Sequence, residues 1–238
     1  MTDGPAFILL SYARPANLQR IVALILQAGI HSRIVVSNNN PDIDLAPYVA
    51  DVIDHIELMQ NDVRRFPGHR FEIARDVDAE DFIFIDDDIF LSPSQIQRLY
   101  ALYRQDRACP HGVWGQAGQL SGGQFWLRYG VFEVEARVEV LNRVYVCSRA
   151  HVERFFELLR RIGKADSADL GLGCDVVLSF CGDGRPYCHD VGPLEECETS
   201  NAEDIALWRQ DGFDEHRLRL FVTLARALGR PLEHNAIR

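Results

Sequence analysis

Three consecutive aspartates at positions 86–88 are the residues of this sequence best suited to chemistry. They directly follow Phe82-Ile83-Phe84-Ile85, a run that is apolar at every position and is typical of a strand covered on both faces. Adjacent carboxylates repel one another, and a divalent cation such as Mg²⁺ or Mn²⁺ relieves the repulsion. Because such ions usually complete their shell with substrate phosphates and water, the motif indicates a metal–diphosphate site. An acidic turn facing solvent is the alternative.

The elements before the triplet alternate between strands and helices. An apolar run at 7–10 predicts a buried strand, and Pro15 then opens a helix that Gly29 ends. A second strand is predicted at 33–37 and a helix at about 70–77. This alternation favours a mostly parallel, doubly wound sheet, in which ligands bind beyond the carboxyl ends of the strands. The triplet is therefore expected at the ligand-binding edge.

The second half of the chain is less regular. Glycine and aromatic residues cluster at 113–132, where Trp114, Phe125, Trp126 and Tyr129 would either stack on a ligand or pack in the core. The remaining pattern predicts one long strand at 138–147, helices at 149–162, 174–180 and 217–228, and a candidate mobile loop at 193–213.

Composition and charge exclude several classes of protein. Net charge is −10, so a general nucleic-acid binder, which needs a basic face, is not expected. No apolar run approaches the ~20 residues of a membrane span, and we expect no signal peptide. The 6 cysteines form no CxxC pair, which favours buried thiols in a reducing cytoplasm. Lys164 is the only lysine, so a phosphate site must use arginine, backbone amides or a metal.

Several local patterns are colinear with the acidic triplet. They are Ser11-Tyr12-Ala13-Arg14, Val35-Val36-Ser37-Asn38-Asn39, Arg70, Gly173-Cys174-Asp175-Val176-Val177-Leu178-Ser179-Phe180, and the pair Trp208 and Arg217. Together they resemble the GT-A fold nucleotide-sugar glycosyltransferases, in which a DxD motif holds a metal and a nucleotide diphosphate. The resemblance is closer to the exostosin-like retaining transferases, those similar to the carboxy-terminal domain of exostosins.

The resemblance implies a fold and an activity. The fold would be α/β of GT-A type, with a Rossmann-like, mostly parallel central sheet flanked by helices and a smaller second sheet. One domain would span 1–238, with a nucleotide-sugar half at about 1–110 and an acceptor half at about 111–238. The activity would be metal-dependent hexosyl or N-acetylhexosaminyl transfer, with retention, from a UDP- or GDP-sugar to a glycan, a lipid-linked sugar or another hydroxyl acceptor. UDP-sugar is favoured over GDP-sugar.

The resemblance also assigns roles to individual residues. The metal, Mn²⁺ or Mg²⁺, would bind Asp88 and Asp86, and the catalytic residues would be Asp175 beside the reacting sugar and Arg217 near the diphosphate. The donor would be bound by Arg14, Asn38, Asn39, Arg70, Asp86 and Asp87. Simpler interpretations stay open, because Asp175 suits a helix N-terminus, Arg217 suits a solvated helix face, and asparagines often fix turns.

Two other functions compete with the transferase. A phosphatase of haloacid-dehalogenase type also places a DxDx[TV] motif after a buried strand, but Phe90 departs from it and Lys164 is a poor phosphate-binding lysine. A non-catalytic nucleotide-sugar binder is the third possibility, because Cys174 stands where the family usually has a second aspartate. His189, after a strand-like segment, is either a late metal ligand or a structural histidine.

Overall fold

The computed structural model describes residues 4–202 and 206–233, which form an α/β architecture. The strands are β1 (Ala6–Ser11), β2 (Arg33–Asn38), β3 (Glu57–Gln60), β4 (Asp81–Ile85), β5 (Ile89–Phe90), β6 (His111–Gly112), β7 (Trp114–Ser121), β8 (Gln124–Phe132), β9 (Ala136–Arg137), β10 (Val140–Leu141), β11 (Val144–Ser148), β12 (Tyr187–Cys188) and β13 (Glu195–Glu196). The α-helices are α1 (Leu18–Ala28), α2 (His69–Asp76), α3 (Pro93–Gln105), α4 (Arg149–Arg161), α5 (Cys174–Leu178) and α6 (Phe213–Leu228). Short 3-10 turns lie at Pro15–Asn17, Ala46–Tyr48, Ala50–His55, Ala168–Leu170 and Leu207–Arg209.

One large sheet organises the molecule. Its eight strands run in the order β3-β2-β1-β4-β11-β6-β12-β9. The first four are mutually parallel, whereas β11 runs antiparallel to both of its neighbours. Two smaller sheets, β10-β7-β8 and β13-β5, are added to it. The predicted fold class, a mostly parallel central sheet with a smaller second sheet, is confirmed.

Both faces of the central sheet are covered. Phe7 and Leu9 of β1 belong to a core shared with α1 and α3, whereas Ile8 and Leu10 belong to a core shared with α2, α4, α5 and α6. Successive strand residues point to opposite faces, so a strand covered on both sides must be apolar at every position. This explains why β1 and β4 are uninterrupted apolar runs.

The strand register brings the ends of β1, β2 and β4 to one edge. Ser11 at the end of β1 lies opposite Asn38 of β2, and Leu9 lies opposite Ile85, the last residue of β4. The residue after Ile85 is the first aspartate of the triplet. The acidic triplet therefore starts at the carboxyl edge of the parallel strands, as the sequence predicts.

The prediction of one strand over 138–147 was wrong. The segment forms two strands in different sheets, β10 and β11, with Asn142 and Arg143 between them. Arg143 has a φ of 61°, in the left-handed region that a continuous strand cannot contain. The apolar pattern on either side of these two residues is real strand, but the backbone breaks at the polar pair.

Two further boundaries differ from prediction. Helix α6 begins at Phe213 rather than Arg217, because Gly212 takes up a left-handed φ of 74° and the acidic first turn of the helix suits its positive end. The predicted mobile loop at 193–213 contains β13 and a 3-10 turn, and its residues 203–205 lie outside the described residues.

Two other expectations were buried cysteine thiols and the absence of a membrane-spanning segment. All 6 cysteines are free, and all are buried except Cys197, which is half-buried. Within residues 4–202 and 206–233, no helix has the length and apolar character needed to cross a bilayer.

Candidate active site

A cavity of about 650 Å³ opens at the carboxyl edge of the parallel strands. Residues from both halves of the chain line it, although they are far apart in sequence. All of the predicted site residues except Asn38 are among them: Arg14, Asn39, Arg70, Asp86, Asp87, Asp88, Asp175 and Arg217. The structure thus brings the predicted donor, metal and catalytic residues to one place.

The predicted asparagines separate in the structure. Asn39 lines the cavity, but Asn38 is buried behind it, where its amide donates to the carbonyl of Ile43 and, at 2.7 Å, to Gln60 Oε1. Asn38 Oδ1 also accepts from the backbone amide of Asn40 at 3.0 Å, which is an Asx turn. The turn-forming alternative therefore describes Asn38.

Two of the three aspartates pair with the predicted arginines. Arg70 Nη2 donates to Asp86 Oδ1 at 2.7 Å, and its Nη1 donates to the hydroxyl of Tyr145 at 2.6 Å. Arg14 Nη1 donates to Asp87 Oδ1 at 3.1 Å. Burial raises the pKa of Asp87, and the pull of Arg14 opposes it. Asp86 and Asp87 are therefore each held by an arginine that also lines the cavity.

Asp88 is the least satisfied carboxylate. Its closest cations are Arg143 at 3.7 Å and Arg14 at 3.9 Å, beyond hydrogen-bond distance. Its Oδ1 is buried and has no hydrogen-bond partner among the described residues. Burial raises the pKa of Asp88 to about 6, against the attraction of Arg143 and with the help of Asp86 and Asp87.

These residues fit a divalent cation. A buried carboxylate oxygen without a donor is a costly arrangement that a metal ion satisfies, and carboxylate oxygens are the ligands Mg²⁺ and Mn²⁺ prefer. Asp88 supplies such an oxygen. Asp86, whose side chain is 33% exposed, keeps one oxygen beyond the one that Arg70 contacts.

Asp175 sits at the start of α5 in a closed network. Arg217 Nη1 donates to Asp175 Oδ1 at 2.6 Å and Asn142 Nδ2 donates to Oδ2 at 2.8 Å. Arg217, only 2% exposed, also donates to Gln116 Oε1 at 2.7 Å and to the carbonyl of Leu172 at 3.0 Å. Burial opposes the charge of Arg217, but Asp175 outweighs it and the pKa of the guanidinium rises. The arginine therefore fixes the carboxylate rather than facing solvent.

Asn142 and Arg143 are site residues that sequence reasoning missed. They are consecutive, yet Asn142 contacts Asp175 while Arg143 approaches Asp88, so the break between β10 and β11 serves both acidic centres. The signal was present in the sequence, since the Asn-Arg pair is the one place where two consecutive polar residues interrupt the strand pattern at 138–147. An apolar pattern alone does not show that the backbone turns there.

His189 does not line the cavity. Its Nδ1 lies 2.7 Å from Glu135 Oε2 and its Nε2 lies 2.9 Å from His111 Nδ1. Burial lowers the pKa of His189. These contacts support the structural alternative for His189 rather than a place beside Asp88.

A second group of potential metal ligands consists of Asp106, Cys109 and His111. Arg137 donates to Cys109 Sγ at 2.8 Å and to Asp106 Oδ2 at 3.2 Å, so a guanidinium already supplies positive charge to this group. Burial lowers the pKa of His111 to about 3, which keeps its ring neutral. The group is a self-contained polar cluster away from the cavity.

The aromatic residues of 113–132 divide between cavity and core. Trp114 and Tyr129 line the cavity, and half-exposed Trp126 lies outside it. Phe125 is buried and stacks on Phe221 of α6 at 5.4 Å. Core packing is therefore confirmed for Phe125, whereas stacking on a ligand stays a prediction for the residues that line the cavity.

Positively and negatively charged residues are equal in number in the lining of the cavity. It contains six arginines, Arg14, Arg64, Arg65, Arg70, Arg143 and Arg217, and six acids, Asp86, Asp87, Asp88, Asp175, Glu196 and Asp214. The whole chain, in contrast, carries a net −10. The cavity is therefore less negative than the rest of the protein, and a divalent cation would make it positive enough to attract a diphosphate.

The architecture is that of a GT-A-like glycosyltransferase fold. A crystal structure of GalNAc-T7 with UDP, GalNAc and Mn²⁺ superposes with a TM-score of 0.58 and 11% identity, covering 94% of this chain and 48% of that one. A CMP-2-keto-3-deoxy-manno-octonic acid synthetase complexed with CTP gives a TM-score of 0.46 and 13% identity, covering 65% of this chain and 78% of that one. The chain spans about half the length of the GalNAc-T7 chain. No protein-family model and no curated protein sequence matches it.

Proposed function

We propose that this chain is a metal-dependent glycosyltransferase that uses a UDP- or GDP-sugar donor. The observation that carries the proposal is the meeting, in one cavity of a GT-A-like fold, of Asp175 with an acidic triplet whose Asp88 has a buried, unpartnered oxygen. Structural likeness to a glycosyltransferase crystallised with UDP and Mn²⁺ supports the choice of donor and metal. The acceptor would be a glycan, a lipid-linked sugar or another hydroxyl compound.

Residues 1–110 would form the donor half of the site. Asp88 and Asp86 would hold Mn²⁺ or Mg²⁺, which, when bound, neutralises the charge that develops on the departing nucleotide diphosphate. Arg14 and Arg70 flank the triplet and would add positive charge on either side of the phosphates. Asn39, directly after β2, lines the cavity and would be the asparagine that contacts the nucleotide.

Asp175 would face the reacting sugar. A carboxylate beside the anomeric carbon stabilises the positive charge of an oxocarbenium-like transition state. Arg217 and Asn142 each donate to one of its two oxygens, which fixes the direction of the carboxylate. In this arrangement Arg217 acts as a positioning residue for Asp175. Its one donor without a partner, Nε, is buried, so the direct phosphate contact implied by the family resemblance stays a prediction.

Residues 111–238 would form the acceptor half. Tyr129 and Trp208 line the cavity on that side, and aromatic faces are suited to stacking on sugar rings. Trp114 also lines it, but Arg143 and Phe132 cover the two faces of its ring. Retention of the anomeric configuration belongs to the resemblance to exostosin-like transferases, and NMR of the first-formed product tests it.

The phosphatase alternative has less support. Lys164 does not line the cavity, so it does not supply the phosphate-binding lysine that this class needs. Phe90 stands at a position of the DxDx[TV] motif and is buried in β5. A non-catalytic nucleotide-sugar binder shares the same cavity and is separated from an enzyme by donor turnover.

The test is metal-dependent nucleotide binding, measured by thermal shift. We expect Mn²⁺ with UDP or GDP to raise the melting temperature, and Mn²⁺ with free phosphate to have little effect. Asp88→Ala should lose this stabilisation. Asp106→Ala, in the second group of potential metal ligands, should keep it. Equal stabilisation of the Asp88 variant and the parent would overturn the metal site. Hydrolysis of a panel of nucleotide sugars then identifies the donor and separates an enzyme from a binder.

A further inference from the structure

Arg143 has an unusual backbone and a restrained side chain. Arg143 and Glu133, with φ of 61° and 55°, are the only non-glycine residues of positive φ in the described ranges. Arginine has no intrinsic preference for this region, so the conformation persists only where surrounding contacts impose it, and such residues cluster at functional sites. Here Arg143 contributes its carbonyl, which accepts from the backbone amide of Asp86 at 2.9 Å. The strained residue is thus tied to the start of the triplet.

The guanidinium of Arg143 is aimed into the cavity by an aromatic stack. Its Cζ lies 4.4 Å from the ring centroid of Trp114, and the Trp114 ring stacks on Phe132 at 4.1 Å. The side chain is only 14% exposed. Stacking on an aromatic face orients a guanidinium without consuming its hydrogen-bond donors.

The guanidinium lies near two acids but makes a hydrogen bond to only one of them. Nη1 donates to Glu196 Oε2 at 2.5 Å, whereas Nη2 lies 3.7 Å from Asp88 Oδ2. Glu196 belongs to β13, which pairs with β5 immediately after the triplet, and it also lines the cavity. The close pair is therefore with Glu196, and the cation is held just beyond hydrogen-bond distance of the candidate metal ligand.

We propose that Arg143 is a phosphate-binding residue of the donor site, and that Glu196 competes with the nucleotide diphosphate for it. This inference rests on the proposed function. A diphosphate bound beside Asp88 presents more negative charge to Arg143 than the single carboxylate of Glu196 does, and guanidinium groups bind phosphate in a bidentate manner. Donor binding then exchanges the Arg143–Glu196 pair for an Arg143–phosphate pair. The affinity for nucleotide is reduced by the competing pair.

Removing each partner should change affinity in opposite directions. Arg143→Asn keeps a residue that tolerates the left-handed region and should weaken UDP–Mn²⁺ or GDP–Mn²⁺ binding by about tenfold or more, the usual effect of losing a charged hydrogen bond. Glu196→Gln should tighten the same binding severalfold, because Arg143 is freed. The double variant should bind like Arg143→Asn alone, because the gain requires the arginine.

A neighbouring ion pair provides the matched control. Arg20 donates to both oxygens of Glu195, at 2.8 and 2.6 Å, on the same short strand as Glu196, and neither residue lines the cavity. Arg20→Gln therefore removes another, more exposed ion pair that holds β13, without touching the cavity. It should leave nucleotide affinity unchanged.

Isothermal titration calorimetry of the four variants and the parent decides between the outcomes. Weaker binding by Glu196→Gln, or an effect of Arg20→Gln as large as that of Arg143→Asn, would show that these pairs only anchor β13 and would overturn the inference. Equal affinity of parent and Arg143→Asn would also overturn it, while leaving the proposed function intact. A parent that binds neither nucleotide would instead overturn the proposed function. If Arg143→Asn does not fold, the sign of the Glu196→Gln effect carries the test.

Discussion

Around Asp175, both carboxylate oxygens accept short hydrogen bonds, from Arg217 at 2.6 Å and from Asn142 at 2.8 Å. Around Asp88, the nearest cations stand 3.7 and 3.9 Å away, and one oxygen has no partner among the described residues. The two acidic centres line the same cavity, but one is closed by protein groups and the other is left open.

We call the group around Asp175 the positioning centre and the group around Asp88 the binding centre, because the difference between them indicates different roles. A carboxylate that already has its donors does not need a ligand, and its geometry is set before substrate arrives. A carboxylate that is buried without enough donors is destabilising until a cation binds. We therefore expect substitutions at Asp175 and Asp88 to change the stability of the ligand-free protein in opposite directions.

The largest effect is expected from Asp175→Ala. It leaves the Arg217 guanidinium, which is 2% exposed, without its charged partner. Breaking a buried ion pair from one side costs about 3–5 kcal/mol, which denaturant unfolding followed by circular dichroism would measure. Asp175→Asn should restore part of this, because its amide oxygen still accepts from Arg217, yet it should bind nucleotide and lose turnover. A cost below about 1 kcal/mol for Asp175→Ala would mean that the centre is not closed as described.

The sequence anticipated most residues of both centres and missed one residue at each, Arg143 beside Asp88 and Asn142 beside Asp175. The triplet follows β4, and both Arg14 and Arg70 lie on regular elements or directly beside them, where hydrophobic pattern and strand order constrain the position. Asn142 and Arg143 lie in a two-residue break whose conformation depends on contacts from distant segments, including Trp114 and Asp175. Local sequence cannot specify such contacts.

Asn38 is a residue whose position was predicted but whose side-chain direction was not. It ends β2, one residue beyond the predicted strand at 33–37, but whether its amide faces the cavity or the chain behind depends on Gln60, a residue of the neighbouring strand. The likeness to the family motif gave its position along the chain, not its direction. The parallel half of the fold was predictable because its period is simple, whereas side-chain direction at strand ends is decided by tertiary packing.

A smaller effect, of opposite sign, is expected from Asp88→Asn in metal-free buffer. The change removes a buried negative charge that is crowded by Asp86 and Asp87 and held by no close donor on one oxygen. We expect a gain of about 1 kcal/mol in the free energy of unfolding, as is usual when an uncompensated buried charge becomes neutral. Adding Mn²⁺ should then stabilise the parent and not the variant. If Asp88→Asn is instead less stable than the parent in EDTA, then Asp88, like Asp175, is held by protein groups, and the difference between the two centres does not exist.

The smallest effect is expected from Asn142→Ala, which removes one hydrogen bond to Asp175. It should cost about 1 kcal/mol in unfolding free energy, the usual net value of such a bond. Its effect on turnover should be larger than its effect on nucleotide affinity, because Asp175 is held from one side only. Tyr100→Phe is the matched control, since it removes one hydrogen bond, of 3.0 Å, to the carboxylate of Asp81, and neither residue lines the cavity. It should cost a similar amount of stability and leave turnover unchanged below the unfolding temperature. If the two variants reduce turnover equally, Asn142 supports the loop between β10 and β11 rather than the direction of the Asp175 carboxylate.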